Sequence, residues 1–288
     1  MIVESRASRT MWSTVKYVFA LIVVFCTAAP FLWLIISSLE PTQDLYSVPV
    51  VIRLRDFSFS RYAQIFQSSD PNSPAYVFRH AMGNSIEIAI VVTVVCLIVG
   101  FFAAYAFARL NFRFKRSLLF SFLFTYMVPS ISLVMPLYII FSRAGMLDSK
   151  FTLMLVYSSF VLPYTVWVLQ GYLVSVPGEL EEAARVDGCT YFGAIIRVIV
   201  PVVIPAIIAT AVFALLLAWD EFLYALILTS TIHAQTISVT IASFVGKNVA
   251  DFGMIATGGV LAALPPTIFA LLFQRFIVGG MTAGSVKG

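Results

Sequence analysis

Residues 198–219 read VIVPVVIPAIIATAVFALLLAW, and no side chain in that run is charged. About 20 apolar residues suffice to cross the hydrocarbon core as a helix, which satisfies its own backbone polar groups where there is no water to do so. Five other stretches have the same character: 17–39, 86–108, 117–141, 151–172 and 253–274. Glu87 is the only formal charge within any of the six. The chain is therefore expected to be an all-α integral membrane protein with six transmembrane helices. Its composition agrees, since 11% of its 288 residues are charged and 60% are hydrophobic, against about a quarter charged in soluble domains. No segment between the runs is long enough to fold alone, so residues 1–288 are expected to form one membrane domain.

Arg6, Arg9 and Lys16 precede the first run, as basic residues precede a secretory signal. The apolar core of a signal is about 7–15 residues long, however, and this run stays apolar to Leu39. The FCTAAP segment at 25–30 is also a poor cleavage site, so the first helix is expected to remain. Cys26, Cys96 and Cys189 form no CxxC, and neither His80 nor His233 has a ligand-spaced partner. That spacing suggests neither a disulfide framework nor a metal centre. A net charge of +4 is no argument for nucleic acid.

Six spans place both termini on one side. Four basic residues crowd into RLNFRFKR at 109–116, and basic residues in short loops set orientation. Both termini, this loop and the segment after the fourth span are accordingly expected to be cytoplasmic. The long loop at about 40–83 falls outside. It contains a turn-rich DPNSP at 70–74, preceded by FSFSRYAQIF, which suits a short amphipathic helix. The loop at 220–252 is expected to re-enter the membrane in part.

The segment 177–201, PGELEEAARVDGCTYFGAIIRVIVP, is out of character with its surroundings. Pro177 and Gly178 suit the start of a helix, and Glu179, Glu181 and Glu182 then fall in its first turn, where the helix dipole favours negative charge. Glu181 and Arg185 are spaced for an i,i+4 ion pair. Leu180, Ala183, Ala184 and Asp187 are expected to share a face with little bulk, open to another protein surface. Gly188 is placed to cap the helix with a positive φ. Phe192, Ile195, Ile196 and Ile199 then recur at helical spacing, and Pro201 and Pro205 lead into the fifth span. Taken alone, this describes an amphipathic connector lying along the membrane surface.

EAA at 182–184, Gly188 and VIVP at 198–201 resemble the EAA loop of binding-protein-dependent ABC importers, with Val198 and Val200 where Ile and Leu are usual. WDEFLYALIL from Trp219, AYAFARLNFRFKR, and LPYTVWVLQGYLVSVPGELEEAARVDG are similar to segments of maltose-type sugar permeases. FQRFIVGGMTAGSVKG is similar to the C-terminal signature of MalG-like subunits. The matches run in order from about residue 84 to 288. The resemblance implies the permease subunit of a sugar importer, multi-pass in the cytoplasmic (inner) membrane. It further implies a second, MalF-like permease, a cytoplasmic ATPase dimer, an extracytoplasmic sugar-binding protein, and a di- or oligosaccharide cargo. Glu182, Ala183, Ala184, Asp187 and Gly188 would then couple to the ATPase, within a coupling loop of about 177–199. ATP and Mg would be bound by that ATPase and no cofactor by this chain, which has no G-x-x-x-x-G-K-[ST] loop and is expected to be non-catalytic. In such importers the tail corresponding to 279–288 can reach between the ATPase subunits.

Polar and aromatic groups at the spans are candidates for the solute path or its gate: Asn84, Glu87, Tyr126, Trp167, Gln170, Trp219, Asp220 and Glu221. Glu87 and Trp167 also suit headgroup and interfacial positions that need no transport role. Two alternatives stay open. One is the same machine with glycerol phosphate or a polyol as cargo. The other is a stand-alone secondary transporter, although the repeats and midplane ion-coupling groups of such proteins are not evident.

Overall fold

The computed structural model describes residues 6–49, 52–53, 55–71, 73–244 and 251–283; Lys247 and the end of the tail, 284–288, lie outside them. Among the described residues every regular element is helical. α1 (Arg6–Leu39) is followed by the short α2 (Thr42–Leu45) and α3 (Ser60–Gln67), the latter being the amphipathic helix expected before the DPNSP turn. α4 (Pro74–Arg109) begins where the Ser73 hydroxyl accepts the Tyr76 N–H at 3.1 Å. Pro74 occupies the first turn, where a missing N–H costs nothing. The capping chemistry thus starts this helix well ahead of the apolar run, and the loop before it ends at 73 rather than 83.

The expected third span, 117–141, is not one helix. α5 (Lys115–Phe124) passes through a 3-10 turn, Thr125–Met127, and the chain then resumes as α6 (Ser130–Arg143), bent by 93°. Pro129 has no N–H, and the residue before a proline is driven out of the helical region. Val128 is accordingly extended, at ψ 119°. The arms have 10 and 14 residues, or about 15 and 21 Å at 1.5 Å per residue, so neither alone crosses a core about 30 Å thick. Tyr126 pins the bend by donating its hydroxyl to the Phe160 carbonyl at 2.6 Å.

Next come α7 (Lys150–Ser175), α8 (Glu179–Val186), α9 (Tyr191–Ala194), a π-helical stretch Ile195–Ile199, and α10 (Val200–Trp219). α11 (Leu223–Leu228) and α12 (Ile237–Ser243) precede α13 (Phe252–Ala283). Five helices are long and apolar enough to cross a membrane, or up to six spans if the bent α5–α6 pair is one.

α4, α7 and α10 form the centre, with α13 against α10 and α1 against α13. In lipid the hydrophobic effect does not drive helices together, so close backbone approach and van der Waals contact must. At Gly100 of α4 a Cβ would lie 2.7 Å from the Thr165 side chain of α7, and at Gly259 of α13 one would lie 3.2 Å from Leu34 of α1. One buried cluster, including Ile88, Val92, Tyr157, Val161 and Ala225, fills the half of the bundle nearer α11 and α12. A second, of Phe101, Tyr105, Leu173, Val176, Ile195 and Ile199 among others, fills the end carrying α8. The outward faces of α1 and α4 expose apolar side chains such as Phe19, Leu21, Val94 and Ile98, as surfaces meeting hydrocarbon do.

Candidate functional site at the α8 corner

α8 ends in a Schellman arrangement. The Cys189 N–H donates to the Ala184 carbonyl at 2.9 Å, the Gly188 N–H donates to the Arg185 carbonyl at 3.1 Å, and Gly188 takes φ +87°. These bonds occupy carbonyls that a helix end leaves open. Thr190 then opens α9 by accepting the Gly193 N–H at 3.1 Å. The helix and its bend are therefore both fixed, which is what a rigid knob requires.

The orientation of α8 differs from the expected one. Glu179, Glu182, Ala183 and Val186 stand at i, i+3, i+4 and i+7 and are all exposed, Val186 at 87%. Ala184 is buried in the chain itself. The open face thus runs through Glu179, Glu182, Ala183 and Val186, with Asp187 and Gly188 exposed beyond it, and Ala184 is not on it. Val186 was missed because an apolar residue beside an Ala-Ala pair reads as the inward side.

Glu181 does not pair with Arg185. Its Oε1 accepts the Arg109 Nε–H at 2.6 Å and its Oε2 accepts the Tyr105 hydroxyl at 2.6 Å, while Arg109 Nη2 donates to the Val176 carbonyl at 2.9 Å. The two charged side chains are 15% and 12% exposed. A guanidinium that is always charged at the C-terminal end of α4 also faces the favourable pole of that helix. The corner therefore ties three pieces together: the end of α4, the exit of α7, and α8. In the sequence, Arg109 is one of four basic residues in a loop, and nothing local distinguishes it from the others.

The path candidates do not form one cluster. Asn84 is buried near the start of α4 and donates its amide to the carbonyls of Ile232 and Gln235 at 2.9 and 3.0 Å. Next to it, the Ser85 hydroxyl accepts the Ile237 N–H at 2.8 Å. Glu87 is ion-paired with Lys150 at the start of α7. Trp219 is buried and Asp220 caps α10, its carboxyl pushed up by its surroundings. Glu221 caps α11, accepting the N–H groups of Tyr224 and Ala225 at 2.9 and 3.2 Å. Trp167 is exposed on the outer surface of α7, Gln170 is half-buried further along it, and Tyr126 serves the bend. Segment 220–244 does fold back into the bundle: α11 packs on α6 and α7, and α12 packs on α4 and α13.

Asp148 adds a contact that the sequence did not signal. At φ +56° it accepts the Ser230 and Thr231 N–H groups at 2.8 and 2.9 Å, as well as the Thr231 hydroxyl. Burial pushes its carboxyl up, but the Thr231 hydroxyl and the two N–H groups outweigh that and hold it below the usual range.

Residues 96–282 match the model of the binding-protein-dependent transport system inner membrane component. The chain belongs to that family. It is 38% identical to the trehalose transport system permease protein SugB of Mycobacterium tuberculosis, over 93% of this chain and 95% of that one. It is also 31% identical to the trehalose/maltose transport system permease protein MalG of Thermococcus litoralis, over 93% and 95%. In fold it superposes on a chain of a bacterial ABC transporter that imports the acidic polysaccharide alginate, with a TM-score of 0.77 at 19% identity, covering 96% of this chain and 99% of that one. The inner-membrane component is thus an all-helical, multi-pass transport subunit, and the relatives named here are permease proteins.

Proposed function

We propose that this chain is the permease subunit of an ATP-driven sugar importer. It works beside a second permease with its termini on the cytoplasmic side, and α8 docks on an ATPase that binds ATP and Mg. An external binding protein delivers the cargo, a di- or oligosaccharide. The cargo class is supported by the printed substrates of the two relatives, trehalose and maltose, and the binding protein by the family description. Orientation is supported by the crowding of basic residues at 109–116.

The observation that carries the coupling is the open stripe of α8. Glu179 and Glu182 offer charge to basic residues, Ala183 allows close approach, and Val186 supplies an apolar contact that a partner would cover. As ATP draws the ATPase halves together, a rigid helix seated on one of them moves as a body and shifts the bundle between inward- and outward-facing states. Asp187 and Gly188 hold the bend beside that contact.

The test is co-expression of this chain with the genes adjacent to its own and purification by a tag on this chain. An ATPase and a second permease are expected to copurify. Ala183→Trp should lose the ATPase and keep the permease. A chain that purifies alone and moves solute into liposomes without ATP would overturn the reading.

A further inference from the structure

The clasp at the α8 corner lies at one end of α4, and a second set of bonds lies towards the other. Arg109 and Tyr105 both donate to the Glu181 carboxylate, and the same guanidinium holds the carbonyl of Val176. Charge-assisted bonds of this kind are short and strong, and burial protects them from screening. About 25 residues back along α4, or about 38 Å at 1.5 Å per residue, Asn84 and Ser85 grip segment 232–237 through Ile232, Gln235 and Ile237. Both of these side chains are buried.

α4 differs from its neighbours between those points. The other four span-length helices each carry interior proline: Pro30 in α1, Pro163 in α7, Pro205 in α10, and Pro265 with Pro266 in α13. α4 has proline only in its first turn. Sharp kinks arise mainly at proline, at π-bulges or at insertions into the hydrogen-bond ladder, and α4 is one uninterrupted α-helix.

We propose that the Arg109–Glu181–Tyr105 clasp is the joint through which α8 drives α4, and that α4, as a proline-free strut, carries the displacement to segment 229–237 at the opposite end. Arg109 and Tyr105 are positioning residues, since they act through α8. The proposal rests on the docking of α8 to an ATPase. It adds a direct mechanical route from that contact to the far mouth of the bundle, independent of the bent α5–α6 pair.

The test uses the complete importer, purified through this chain and reconstituted, with Ser230→Cys as a reporter at the far end. Thiol labelling is read with and without ATP, Mg and vanadate, against the same chain lacking the added thiol. Hydrolysis by the copurified ATPase is read in parallel. The wild-type background is expected to change its labelling rate with nucleotide. Arg109→Ala should keep the ATPase and its hydrolysis but weaken that response by at least about fivefold, the lower end of ordinary coupling between sites. Arg109→Lys, and the exchanged pair Arg109→Glu with Glu181→Arg, should recover part of it. A merely structural role would lower hydrolysis and labelling response together, with no recovery in the exchanged pair, and would overturn the proposal. So would an intact response in Arg109→Ala, or no response in the wild-type background. A background chain that purifies without an ATPase overturns the transport reading and the joint with it.

Discussion

Gly188 and Asp148 both occupy positive φ, for different reasons. A Cβ on Gly188 would meet nothing within 4 Å, so any cost of Gly188→Ala is conformational. It should be about 1–2 kcal/mol, and Gly188→Asn should cost less because Asn tolerates this region. Thermal unfolding of the two variants in detergent checks the order. The need for glycine there was legible from EAA and the residues after it. Asp148 was not legible, because its partners lie beyond position 228 and no local pattern joins them. With its folded pKa below the unfolded value of about 3.9, Asp148 contributes stability that is present above that value and lost as pH falls through the folded pKa. Asp148→Asn removes the charge while keeping an acceptor. The difference in unfolding midpoint between wild type and Asp148→Asn should be constant from about pH 6 to about pH 4.5 and should close towards about pH 3. A difference that grows on acidification would contradict the assignment.

The helices themselves were readable from apolar run length, and where they were not, a single side chain decided the outcome. Ser73 set the start of α4 ahead of the apolar run, and Pro129 turned an apparently continuous span into two arms at a right angle. Hydropathy averages over both features. Packing between elements was also hidden, since Gly100 looks like any glycine in an apolar run until Thr165 is seen against it. Gly100→Leu should cost about 1–3 kcal/mol through overpacking, lowering the unfolding midpoint in detergent, whereas Gly171→Ala, with nothing near its Cβ, should leave it unchanged. On α8, Ala183→Trp and Ala184→Trp should separate. The first keeps chain stability and loses the ATPase on copurification. The second destabilises the corner, because Ala184 is buried against the chain's own core. The sequence gave no means of choosing between the two alanines, since inward and outward faces depend on where Arg109 and Tyr105 hold the helix.

At the scale of the whole molecule, five or six apolar helices and one charged knob summarise what the amino-acid order announces. The connections that make them a machine run across distances of 72 to 152 residues in sequence, such as Arg109 to Glu181 and Ser85 to Ile237. Reporter fusions at the two ends of the chain should report the same side of the membrane, the side of α8; opposite sides would undo the orientation argued from residues 109–116. The π-helical stretch Ile195–Ile199, immediately ahead of Pro201, sets a constraint of another kind. One residue more than an α-helix needs is stored there, and each residue of a helix turns it by about 100°. Removing a single residue from that stretch would leave every neighbour chemically intact while rotating α10 against the corner by that angle. Residue count in this segment, more than residue identity, keeps the knob and the fifth span in phase.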